Sequence, residues 1–196
     1  MLFRSLLTLR SAPTKPTPIE KAGVDWTKTI AWGDGGYYGR LFLNVQGREP
    51  QGQIPAADYE RVRDDLIARI EGLTYPDGVS LHARAYRPET LYREVKGVPP
   101  DLIVYFGDLA WRSVGSVGMG GIYTFDNDTG PDEANHDWHG IFIHADPRRP
   151  GEGRRDGLAI EQVAPTILAR YDLAPTAGAI GSAVDFRSDR VATAGD

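Results

Sequence analysis

"GRLFLNVQGREPQGQIPAADYERVRDDLIARIEGL", residues 39–73, holds two hydrophobic periods in one run. Leu41, Leu43 and Val45 fall on alternate positions, the period of a half-buried strand. After the break "QGREPQG" the spacing lengthens. Tyr59, Val62, Leu66, Ile70 and Leu73 recur at three or four residues and form one stripe of an amphipathic helix. Pro55 suits the first helical turn, where its missing N–H is no loss, and Gly72 stands where a helix stops. The stripe reads as core packing. A strand leading directly into a helix that must cover it places the chain in the α/β class.

The same logic extends to both sides. Upstream, Thr29–Trp32 and Tyr38–Val45 read as two strands joined through "GDGG". "SAPTKPTPIEKAG", residues 11–23, cannot sustain a helix and reads as an extended linker. In "MLFRSLLTLR" Arg4 and Arg10 cut the apolar run short of the roughly 7–15 residues of a signal peptide. Leu2, Leu6, Leu7 and Leu9 fit the last turns of a helix begun further upstream.

Downstream, "VSLHARAYR" reads as a strand and "PETLY" as a helical turn. "PDLIVYF", residues 100–106, is a continuous apolar run of strand length, as a buried central strand requires. "GIFIHA", residues 140–145, reads as a further strand in or near the main sheet. "LAIEQVAPTILARYDL" reads as a second helix with Ile160, Val163, Ile167 and Leu168 inward, and Pro165 implies a kink or an early start. These elements divide the chain into an N-terminal helix remnant and linker (1–23), a main region (24–180) and a polar tail (181–196).

Composition narrows the function classes. With 41% hydrophobic and 25% charged residues the chain suits a globular domain with a real core. A net charge of −5 argues against a nucleic-acid partner, which calls for a basic face. No apolar run approaches the roughly 18 residues of a membrane span, so no membrane partner is expected. Without a convincing signal peptide a soluble, cytoplasmic protein is the expectation. There are no cysteines, which excludes thiolate metal sites and disulfides.

Two stretches could carry chemistry. "EANHDWHGIFIHADP", residues 133–147, brings His136, His139 and His144 together with Glu133, Asp137 and Asp146, and Asp132 precedes them. Imidazoles three residues apart, as His136 and His139 are, can share one metal, with carboxylates completing a tetrahedral zinc. The glycine-rich approach is not rigid, so a solvated polar loop, a partial metal site and a complete local site all remain open. In "NVQGREPQG", Arg48 and Glu49 stand at a fixed strand end, where sites are often built; a structural ion pair is the alternative. His82 reads as an ordinary strand histidine, and the arginines of "PRRPGEGRRDG" as a solvated loop. No G-x-S-x-G, H-E-x-x-H or P-loop occurs.

In order, "VDWTKTIAWG", "GRLFLNVQGREPQG", "PDLIVYFGD", "NHDWHGIFIHADP" and "EQVAPTIL" resemble the type I phosphodiesterase/nucleotide pyrophosphatase-like proteins of the alkaline phosphatase superfamily, over residues 20–180 or so. The resemblance implies a three-layer α/β sandwich with a mixed sheet. It also implies hydrolysis of a phosphodiester or pyrophosphate small molecule at two divalent metal ions, commonly zinc. His136 falls on the histidine of H-x-x-x-G-I-F-I, a metal ligand in that family; His139 holds no assigned place. Arg48 and Glu49 fall in the substrate-side part. The nucleophile, the first metal-binding aspartate and the D-H-G ligands of the family lie upstream of its "VDW" segment, and none of them occurs before Asp25 here. The chain is therefore expected to carry the C-terminal part of such a hydrolase, with no catalytic nucleophile of its own, inactive without a complementing N-terminal chain. The alternative is a non-catalytic remnant or binding module that keeps the substrate-side surface.

Overall fold

The computed structural model describes residues 6–125, 134–145, 147 and 153–184. Glu133, Asp132, Asp146, Arg148, Arg149 and most of the polar tail lie outside the described residues. The chain divides into two compact units, Met1–Trp138 and His139–Asp196.

The first unit is built on a four-stranded antiparallel sheet of order β2-β3-β5-β4, from β2 (Ala31–Asp34), β3 (Gly39–Leu43), β4 (Arg84–Tyr86) and β5 (Leu102–Tyr105). A small second sheet pairs β1 (Thr17–Pro18) with β6 (Ser116–Val117). The expected hairpin of β2 and β3 forms, with Ala31 opposite Leu43 and Asp34 opposite Arg40. Every ladder in these sheets is antiparallel, so the expectation of a mixed sheet gives way to an antiparallel one. β2 turns directly back into β3, but β3 meets β5 only after residues 44–101, so the strand directions depend on partners remote along the chain.

Alternation separates two faces. Ala31, Leu41, Leu43, Leu102, Val104 and Ala85 point one way and are buried with Leu66 and Ile70 of α1 (Tyr59–Glu71). The helix follows a single 3-10 turn over Ala56–Asp58 and ends at Gly72, as the stripe predicts. On the opposite face Trp32 stacks on Phe42 at 5.5 Å, and Trp26 meets Trp32 edge-on at 5.1 Å. The turn α2 (Pro88–Leu91) forms with Pro88 at its start. Of "VSLHARAYR" only Arg84–Tyr86 is strand, because His82 adopts φ 52°, outside the extended region.

The second unit contains a 3-10 turn (Ile160–Gln162) running into α3 (Val163–Arg170). Pro165 lies in the first turn of α3, where it disturbs no helical hydrogen bond. Two sequence expectations fail here. Gly140–Ala145 forms no strand, and Ile141 and Ile143 are 91% and 83% exposed. A run apolar on both faces is a strand only when sheet partners stand on each side, and no strand occurs among the described residues of this unit. In α3 the buried residues are Pro165 and Thr166, while Ile160 and Ile167 are exposed. Thr166 Oγ1 donates to the Gln162 carbonyl at 2.6 Å and accepts from the Val184 N–H at 2.9 Å. Those bonds turn the threonine inward and the isoleucines out. No described helix is long and apolar enough to cross a membrane.

Candidate functional site

Two polar constellations stand out in the first unit. One closes the end of β3. The chain leaves the strand through Asn44 and Val45 into a turn in which Gly47 takes φ 82°, a conformation that favours glycine. Asn44 is buried, and its Nδ2 lies within hydrogen-bonding distance of the carbonyls of Trp26, Thr29 and Gln51, at 2.9, 2.8 and 3.0 Å. The turn places Arg48 against Asp101, the residue before β5, which is 3% exposed. Arg48 Nη1 donates to Asp101 Oδ1 and Nη2 to Oδ2, each at 2.7 Å, a bidentate pair. The same carboxylate accepts from the Leu43 N–H and the Tyr59 hydroxyl, both at 2.6 Å. Arg48 Nη2 also donates to the Leu43 carbonyl, and Nε donates to Glu49 Oε1. Glu49 Oε2 accepts from the Val45 N–H.

Arg48 and Glu49 are thus brought together, as their place in the sequence suggests, and all three guanidinium nitrogens donate within the fold. Asp101, foremost, holds the Arg48 guanidinium above its ordinary range. Burial, assisted by the bond to Asp101, pushes the Tyr59 phenol up to about 12. The arrangement ties α1, β3 and β5 to one carboxylate.

The second constellation lies where β5 ends. Gly107, Asp108 and Leu109 take φ 60°, 54° and 69° in succession, the left-handed region that costs a non-glycine residue energy. Residues 134–138 are fastened to this turn. Asn135 Nδ2 donates to the Leu109 carbonyl at 2.5 Å, and Trp138 Nε1 donates to Asp108 Oδ1 at 2.7 Å. His136, between these two anchors, stacks on the Tyr37 ring with centroids 4.0 Å apart. The Arg112 guanidinium stands 5.2 Å from the same ring centroid. His136 is exposed, and its ring nitrogens make no hydrogen bond among the described residues. His139 and His144 belong to the second unit and are exposed there.

A metal requires more than this. No group of three or more His, Asp or Glu side chains able to hold a metal ion occurs among the described residues. They supply one braced imidazole, His136, where a tetrahedral zinc takes three or four protein ligands. Asp101 and Asp108 are the residues that sequence reasoning passed over. Both flank the apolar run "LIVYF", and a charge tight against each end of a buried strand is the signal that could have found them.

Fold and site together define an α/β protein with an antiparallel central sheet and a histidine-bearing segment bound at the end of its central strand. Set against protein-family models, curated proteins and solved structures, the chain matches none.

Proposed function

We propose that this chain is the C-terminal part of a metal-dependent phosphodiester or pyrophosphate hydrolase, to which it contributes His136 as one metal ligand. The observation that carries the reading is the placement of that imidazole. It is exposed, braced on Tyr37, and held between two hydrogen bonds to the turn after β5. A ligand fixed in this way is presented ready for an ion completed by groups outside the described residues. The five ordered motifs supply the class, and in that class the remaining ligands and the nucleophile come from an N-terminal half, on a second polypeptide or in a longer product. In the corresponding three-layer sandwich, Gly140–Ala145 is a strand that gains its sheet partners from that half.

The test has two arms. With zinc added, the chain alone is expected to hydrolyse bis-p-nitrophenyl phosphate no faster than buffer. The coding DNA immediately upstream is expected to encode a Thr or Ser nucleophile and a D-H-G motif. Robust turnover by the chain alone, abolished in His136→Ala, would show that the site is self-contained. A locus without those motifs would remove the hydrolase reading. The second reading, a non-catalytic module that binds through its surface, would then stand; the exposed aromatic side chains around Tyr105 favour it.

A further inference from the structure

At the start of α1 the chain encloses a cavity of about 350 Å³ that the metal-ligand reading does not use. Ile30, Ile54, Pro55 and Val62 form its apolar wall. Backbone bonds hold that wall in place. The Asn44 N–H donates to the Ile30 carbonyl at 2.8 Å, and the Ile54 N–H donates to the Asn44 carbonyl at 2.9 Å. Ile54 is buried, and Val62 packs against the core. The cavity is thus formed without a ligand, and its size falls in the roughly 300–1,000 Å³ of small-molecule sites, which pair apolar walls with a few placed polar groups.

The polar groups here carry both signs of charge: Lys28, Arg61 and Asp58. Asp58, Arg61 and Val62 are spaced three and four residues apart, so the first turn of α1 presents them on one face. Arg61 Nε donates to Asp58 Oδ1 at 3.2 Å, and Nη2 stands 3.1 Å from the same oxygen. Asp58 Oδ2 and Arg61 Nη1 make no hydrogen bond among the described residues, and the Asp58 side chain does not cap the helix. Lys28 Nζ lies 3.3 Å from Asp25 Oδ2, one contact for a group with three donors.

We propose that this cavity binds a free α-amino acid with an aliphatic side chain. Arg61 Nη1 and Lys28 Nζ donate to the ligand's carboxylate, Asp58 Oδ2 accepts from its ammonium group, and its side chain lies on the apolar wall. A ligand with a negative charge alone would leave Asp58 facing it, and one with a positive charge alone would meet Lys28 and Arg61. Only a ligand carrying both charges side by side answers the whole rim. This inference is independent of the metal-ligand role given to His136.

The full chain, labelled with nitrogen-15, is titrated with L-leucine and followed by its backbone amide resonances. Saturable shifts are expected at residues 28–30 and 53–62. Glycine lacks the aliphatic side chain, 4-methylpentanoate the amine and 3-methylbutylamine the carboxylate; each is expected to bind at least about tenfold more weakly. Asp58→Asn and Arg61→Gln, at solvent-facing positions, are each expected to weaken leucine binding about tenfold, with amide spectra that otherwise match the parent. No saturable shift with leucine overturns the proposal. So does binding of either singly charged analogue as tight as that of leucine, or leucine binding that survives both substitutions.

Discussion

Asp101 shows how much one side chain can organise. Its carboxylate meets the two terminal nitrogens of Arg48, the Tyr59 hydroxyl and the Leu43 N–H, while remaining buried. Replacing it leaves a guanidinium, a phenol and an amide without their acceptor. Asp101→Ala is therefore expected to cost about 3 kcal/mol in urea unfolding. Tyr59 gives the network a pH signature. Its phenol has an ordinary value of 10.0 and is raised to about 12 in the fold, so the unfolded chain ionises first. The stability it contributes is complete below pH 10 and falls as pH rises from 10 towards 12. The urea midpoint is expected to decline across that window, and Tyr59→Phe is expected to flatten the decline. At this scale the sequence exposed Arg48 and Glu49, which are adjacent to each other. It hid their partner Asp101, because 53 positions separate it from Arg48 and only the pairing of β3 with β5 brings them together.

Among the elements, α1 and the run Gly140–Ala145 make opposite cases. The stripe of α1 contains its own evidence, since a helix with one apolar face must bury that face wherever the chain folds. Ile70, 1% exposed, sits at the centre of the packing against the sheet. Ile70→Ala is expected to cost about 2–5 kcal/mol by chemical denaturation. "GIFIHA" has the composition of a central strand, but no strand occurs among the described residues of its unit. Ile141→Ser and Ile143→Ser are each expected to shift the unfolding free energy by no more than about 0.5 kcal/mol, as at ordinary exposed positions. A loss of about 2 kcal/mol or more in either variant would mean that the run is packed as a strand. The inward face of α3 was misread for a related reason: hydrophobicity ranks Ile167 above Thr166, but two hydrogen bonds to the threonine set the rotation of the helix.

At the scale of the molecule, the buried hydrophobic cluster among the described residues lies wholly between Ala31 and Val104. The cooperative core therefore belongs to the first unit, Met1–Trp138. A chain ending at Trp138 is expected to keep a single thermal transition within a few degrees of the full chain, read by circular dichroism at 222 nm. Loss of that transition would show that the second unit is part of the same core.

The sequence alone determined the β2–β3 hairpin, α1, the buried strand β5 and the α/β class. Each of those is encoded by a periodicity or a break within about 20 consecutive residues, and local sterics and burial act over that range. Tertiary structure decided what depends on partners remote along the chain. It made the sheet antiparallel, turned Arg48 and Glu49 into a brace around Asp101, and left Gly140–Ala145 outside any strand. It also fixed His136 on Tyr37, two residues that are far apart in the sequence and meet only where β5 ends. A strand, an ion pair or a ligand set is a relation between segments, and a single segment cannot specify its partner.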